Sequence, residues 1–253
     1  MIKFFRKIRQ NLLSENKFSK YLMYAIGEII LVVIGILIAL QVNTWNENRK
    51  INKQELQLLE SLQKEFTFNK NELDRSIEKS QLIQNRCEAI LENTGNREIK
   101  LSKIESDSLI NWGLTNIVTY DVSDGIISDI ISSGKIQIIK NERIKNFLSN
   151  WNGILNDVKE DETWAVNERN TIIYPFLYKH SNYTSTTQSM SQNTEITSGF
   201  DTDYKAVYKL IEFENLANSQ RRWNRKNERN YKYLKSKIEE IITLCEQEVD
   251  LKK

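Results

Sequence analysis

The run from Tyr21 to Val42, YLMYAIGEIILVVIGILIALQV, constrains this chain more than any other feature. It carries one charge, Glu28, and no polar side chain between Ile29 and Leu40. As a helix rising about 1.5 Å per residue it spans about 33 Å, enough to cross a hydrocarbon core of about 30 Å. A cleaved secretory signal has an apolar core of about 7–15 residues followed by small residues at the cleavage point. Here the run continues into Gln41-Val42-Asn43-Thr44-Trp45 instead. The segment therefore reads as an uncleaved transmembrane anchor over residues 21–42, dividing the chain into residues 1–20 and 43–253.

The flanks orient it. Lys3, Arg6, Lys7, Arg9, Lys17 and Lys20 precede the run, against Glu15 alone. Arg49, Lys50 and Lys53 follow it, beside Glu47, Glu55 and Glu60. The excess of Lys and Arg marks the cytoplasmic side, so the N-terminus is expected inside and residues 43–253 outside. Ile2, Phe4, Phe5, Ile8, Leu12 and Leu13 can share one helix face, so residues 1–20 also fit a short basic amphipathic helix on an anionic leaflet. The plainer alternative is a positive segment that only sets topology.

Glu28 is costly inside a bilayer, by about 2.5–3.5 kcal/mol or more near its centre. Ala25, Glu28, Val32, Gly35 and Ala39 fall on one stripe, and Gly35 with Ala39 forms a small-xxx-small pair that lets a second helix approach closely. This marks Glu28, Gly35 and Ala39 as a transmembrane association face. The alternative is a protonated Glu28 bonded locally or reaching the inner interface.

Composition narrows the remainder. The 253 residues are 40% hydrophobic and 28% charged, with eight Gly and one Pro. That excludes a disordered chain and disfavours a many-stranded β protein, which needs turn residues throughout. A formal net charge of +2 argues against a nucleic-acid partner. One His and two Cys exclude a Cys/His zinc site.

The pattern beyond the anchor is helical. Leu59, Leu62, Phe66, Leu73, Ile77, Ile83, Cys87 and Ile90 predict one long helix from about Trp45 to Glu92, ended by Asn93-Thr94-Gly95-Asn96. Residues 101–120 are less regular and fit a short helix. Ser123 is expected to cap a short helix buried through Ile126, Ile127, Ile130 and Ile131 and stopped at Gly134. Asn141 is expected to cap a second long helix along Ile144, Phe147, Leu148, Trp151, Leu155 and Val158, continuing through Glu162, Ala165, Arg169, Ile172 and Phe176, with Pro175 ending or kinking it. Residues 179–202 read as an exposed polar loop. A helix over about 203–216 follows. The last, about 220–251, carries Trp223, Tyr231, Leu234, Ile238, Ile241, Cys245 and Val249 at heptad-like spacing. The expected fold is all-α: a transmembrane helix, then an elongated extracytoplasmic bundle with three long helices. If these run out, back and out again, the first and third are parallel, and Cys87 and Cys245 meet at their distal ends. A Cys87–Cys245 disulfide would then suit an oxidising compartment; the alternative is two free core thiols.

No catalytic constellation emerges. Gly125…Gly134-Lys135 fails the phosphate-loop spacing, and Ile136 stands where a magnesium-binding hydroxyl is needed. Asp157, Glu160, Asp161 and Glu162 could bind a cation or do acid/base work, or form a solvated helix face. His180 has no recognisable nucleophile. Arg221, Arg222, Arg225 and Arg229, with Lys226 and Trp223, could contact an anion or lipid headgroups if their helix begins near the bilayer. No cofactor is expected.

The opening MIKFFRKIRQNLLSENKFSKYLMYAIGEIILVVIGILIALQVNTWNE and the stretch SDGIISDIISSGKIQIIKNERIKNFLSNW resemble a Bacteroidota family of single-pass membrane proteins, a domain of unknown function. The resemblance spans the chain and is most specific in its N-terminal block. It implies a bacterial inner-membrane protein with residues 43–253 in the periplasm, and brings neither catalytic residues nor a ligand. The expected function is a non-enzymatic membrane-anchored scaffold, sensor-like or partner-binding protein of the cell envelope, held by the lipid bilayer. The alternative is a homo-oligomeric assembly or pore built on the transmembrane helix, in which a ring of Glu28 would favour cations.

Overall fold

A computed structural model describes residues 18–188 and 198–252. Every regular element among them is helical. The expected amphipathic helix over 1–20 falls almost wholly outside the described residues, as does the middle of the expected loop over 179–202. The chain divides into two units, residues 1–56 and 57–253.

One helix, α1 (Phe18–Leu91), runs through the boundary between them. It has neither Gly nor Pro between Ile36 and Leu91 to break it. In the first unit its apolar stretch is uncovered by protein: Leu22, Ile29, Leu37 and Val42 are all about half exposed or more. Among the described residues this is the helix long and apolar enough to cross a membrane.

In the second unit, α1 buries Leu59, Leu62, Phe66, Leu73, Ile83, Cys87 and Ile90. It stops where expected. Gly95 takes a left-handed φ of 74° that a side chain resists, and its N–H donates to the Tyr208 carbonyl at 2.9 Å. The chain then travels back along α1 in short pieces. These are α2 (Lys103–Leu109), whose Ser102 and Glu105 form a capping box, and a π-helical turn over Ile110–Leu114. An extended stretch leads on to α3 (Gly125–Ser132). Along this return, Cys87 Sγ donates to the Gly113 carbonyl at 3.5 Å, and Asn69 grips the Ser123 backbone from both sides. Gly113 is required here: a Cβ on it would lie 2.8 Å from that of Arg86.

Gly134, at φ 72°, ends α3 as expected. Its capping differs. Ser123 is not the N-cap; that position is Asp124, whose side chain makes no capping bond. The Glu65 carboxylate of α1 accepts instead from the N–H groups of Ile126 and Ile127, both at 3.1 Å. Only Ile127 and Ile130 are fully buried, while Ile126 and Ile131 stay partly exposed.

Asn141 caps α4 (Glu142–Glu168) through the N–H groups of Arg143 and Ile144, as expected. Ile144, Leu148, Trp151, Leu155, Val158, Glu162 and Ala165 form its buried face. Beyond Ala165 the expected stripe fails. A π-helical turn over Arg169–Ile173 adds one residue to the turn, so the buried positions pass to Ile173 and Leu177 while Ile172 faces solvent. Pro175 follows in the first turn of α5 (Tyr174–His180), where its missing N–H is tolerated. The polar stretch after it is not wholly loop, because Tyr183–Gln188 forms α6.

The last helix, α7 (Ile211–Asp250), merges the two expected segments into one. Its buried seam runs unbroken through Phe213, Ala217, Gln220, Asn224, Asn227, Tyr231, Leu234, Ile238, Ile241 and Cys245. The spacing alternates between three and four throughout, and Asn218-Ser219 supplies no stop. Asn224 and Asn227, rather than Trp223, hold the seam in its middle.

The direction of α7 corrects the sequence-based reading. Gln63 pairs with Glu246, Lys70 with Glu239, Asp74 with Lys235, Gln81 with Glu228, and Glu88 with Arg221. Each step forward along α1 is matched by an equal step backward along α7, so the two helices are antiparallel. Helix α4 also opposes α7, through Arg143–Glu240 near its start and Ser219–Glu168 at its end. Hence α1 and α4 run the same way. The segment between them makes the return journey that the sequence-based reading assigned to the second long helix.

Candidate functional site

The basic face of α7 forms one candidate surface. Arg222, Arg225 and Arg229 recur at helical spacing and line an open hollow of about 570 Å³ with Ser219, Trp223 and Lys226. Lys226 Nζ lies 2.6 Å from Asp161 Oδ1 and 5.5 Å from the centre of the Trp223 ring. Asp161 also accepts from Asn230 at 2.7 Å. Among the described residues no carboxylate pairs with Arg222, Arg225 or Arg229. Three guanidiniums without counter-charge beside an indole favour an anionic or aromatic partner. Arg221, expected with them, turns away to Glu88, at 3.3 Å. The headgroup reading required α7 to begin near the bilayer. Within the second unit, α7 begins beside the C-terminal end of α1, where Arg221 pairs with Glu88.

The acidic run disperses. Asp157 and Glu160 face solvent, Asp161 is tied to Lys226, and Glu162 is buried. Glu162 Oε1 accepts from the Tyr231 hydroxyl at 2.6 Å and the Tyr120 N–H at 2.9 Å. Burial pushes the Glu162 pKa up from the usual carboxylate value, and these two hydrogen bonds pull the other way. The Tyr231 hydroxyl is pushed well above a normal phenol, first by burial and then by the Glu162 charge. This is a core network that locks α4 to α7. No group of three metal-ligating side chains occurs among the described residues.

Cys87 and Cys245 are both buried and unbonded. Cys87 neighbours Glu88, the partner of Arg221; Cys245 neighbours Glu246, the partner of Gln63. The two therefore lie at opposite ends of the α1–α7 register, about 35 Å apart along the helix. A disulfide needs Cα atoms within about 7 Å, so the antiparallel arrangement excludes a Cys87–Cys245 bond and leaves the alternative of two free core thiols. Burial raises both thiols to about 12.

His180 packs on Phe176 at 4.7 Å between ring centres. On the apolar stretch, Ala25, Glu28 and Val32 line one shallow hollow with Ile29 and Val33. Nothing lies within 4 Å of where a Gly35 Cβ would sit. This stripe, which runs on to Ala39, is open to a neighbouring helix.

Sequence reasoning missed the polar middle of the bundle. Gln220, Asn224 and Asn227 occupy the α7 seam, and Ser80 is buried on α1. Gln220 Oε1, Asn227 Oδ1 and Ser80 Oγ have no hydrogen-bond partner among the described residues. Carrying the heptad frame backward from Tyr231 to Ala217 would have found the three α7 residues. No protein-family model, no curated protein and no solved structure matches this chain.

Proposed function

We propose that this chain is a membrane-anchored, non-enzymatic helical domain of the bacterial cell envelope, with residues 21–42 in the bilayer and residues 43–253 outside it. The observation that carries this reading is the state of α1. One unbroken helix leaves its apolar stretch bare in the first unit and supplies the core of a folded domain in the second. So much exposed apolar surface is unfavourable in water and favourable in lipid. The uncompensated arginines of α7 give the outer domain a surface for an anionic partner in the envelope. The domain would act as a scaffold, a sensor-like input or a partner-binding protein.

The open stripe through Glu28, Gly35 and Ala39 supports a second reading, a homo-oligomer or pore formed through the transmembrane helix. One experiment separates the two. Membranes containing the full chain are extracted with alkaline carbonate, and the detergent-solubilised protein is weighed after correction for bound detergent. Retention in the membrane pellet with a mass near 30 kDa supports the simple anchor. A defined multiple that falls to monomer in Gly35→Leu supports the assembly. Release into the carbonate supernatant sinks both.

A further inference from the structure

A cavity of about 320 Å³ opens where α2, α5 and α6 meet the segment before α7. Its size is that of small-ligand sites, about 300–1,000 Å³. Its floor is fixed by buried polar groups. Asp107 is 2% exposed, and its Oδ2 is 2.6 Å from Lys103 Nζ. Ser106 is fully buried, and its Oγ accepts from the Tyr208 hydroxyl at 3.0 Å. Around these lie the side chains of Asn182, Ser185 and Thr202. Two carboxylates, Asp107 and Asp203, and two ammoniums, Lys103 and Lys179, line the cavity, so these four charges balance.

A second, more open hollow adjoins the first and shares Lys179, Ser181, Asn182 and Thr202 with it. Its character is aromatic. Tyr178 and Phe200 line it, 62% and 81% exposed. Tyr178 is held by its neighbours, stacked on Tyr174 at 5.8 Å and edge-on to Tyr183 at 5.3 Å. Asn182 holds the divide: its side chain accepts from the Ser185 N–H, and donates to Ser198 Oγ and the Phe200 carbonyl. The aromatic platform and the polar cavity are thus fixed side by side.

The combination selects a ligand class. Hydroxyl and amide groups both donate and accept, which suits a molecule that does the same at many points. Balanced charge disfavours an anion or a cation. Exposed ring faces attract weakly polarised C–H groups. We propose that these two joined hollows bind a neutral saccharide, one sugar ring seated in the polar cavity and the next against Tyr178 and Phe200. The inference does not rest on the membrane reading, since all of its residues belong to the second unit.

The test uses the full chain in a phosphocholine detergent, which carries no sugar. Maltotriose, cellotriose and triacetylchitotriose are titrated by calorimetry, with glucose and trigalacturonate as comparisons. At least one neutral trisaccharide is expected to saturate with a Kd of about 1 mM or tighter and to exceed glucose at least tenfold. Tyr178→Ala and Phe200→Ala, both at exposed positions, should each weaken it at least fivefold, and Thr202→Val should weaken it with little change in Tm. The absence of saturable binding by all three trisaccharides overturns the proposal. So does equal affinity for glucose, a preference for trigalacturonate, or affinity unchanged in the Tyr178→Ala/Phe200→Ala double variant.

Discussion

Glu65 caps a helix that begins some sixty residues after it: its two carboxylate oxygens accept the N–H groups of Ile126 and Ile127 at 3.1 Å each. The negative charge meets the positive end of α3, and two backbone donors that would be orphaned are satisfied from α1. A local cap of the Ser or Asp kind links neighbours in sequence. This one links α1 to the end of the returning segment. Glu65→Ala should therefore destabilise the domain by about 1–3 kcal/mol, with Glu65→Gln milder because one acceptor remains. Urea unfolding followed by circular dichroism measures both. A Glu65→Ala midpoint equal to wild type would show that α3 needs no cap from α1.

Glu162 gives the domain a pH dependence of definite sign. Its pKa in the fold lies above the ordinary carboxylate value, chiefly through burial. The folded state therefore holds that proton more tightly than the unfolded state does. The contribution is complete below the unfolded value of 4.5 and is lost as pH rises through the raised value. Glu240, exposed, and Glu228 and Glu248, partly buried, are shifted the other way and act below 4.5. Between pH 7.5 and 5, wild type should gain stability relative to Glu162→Gln. Unfolding midpoints of the two proteins at both pH values check this. A constant difference would mean that Glu162 titrates normally.

The thiols give a direct check on helix direction. Cys87 and Cys245 are buried and held near 12 by desolvation, so almost no thiolate exists at neutral pH. Neither should react with a maleimide in the native protein. In guanidinium without reductant, both should be labelled, adding two adducts by mass spectrometry. An unlabelled unfolded chain that needs reductant to react would restore the disulfide and the parallel arrangement behind it.

Gly113 marks the closest approach of the returning segment to α1. A Cβ there would lie 2.8 Å from the Arg86 Cβ, an atom that cannot swing aside. Gly113→Ala should cost about 1–3 kcal/mol by forcing the π-helical turn off α1. Gly153→Ala is the control, since nothing lies within 4 Å of its Cβ position. It should be neutral or slightly stabilising, by up to about 1 kcal/mol. Thermal melts of the pair test this, and equal losses in both variants would argue against a specific clash.

Features set by neighbours along the chain were legible in advance. The apolar run from Tyr21 to Val42, the periodic burial of Leu59 to Ile90, the Asn141 cap and the stops at Gly95 and Gly134 each depend on side-chain chemistry within a few residues. The arrangement of the candidate surfaces was not legible in this way. A chain can run in either direction along a helix and bury the same stripe, so periodicity could not tell parallel from antiparallel. The short pieces between Asn93 and Lys140 settled the matter by making the return themselves. That choice separated Cys87 from Cys245, brought Arg221 to Glu88, and set Arg222, Arg225 and Arg229 beside α4. The π-helical turn at Arg169–Ile173 and the carboxylate of Glu65 over Ile126 and Ile127 are of the same kind. Each answers a packing demand from a distant segment, and local pattern carries no trace of such demands.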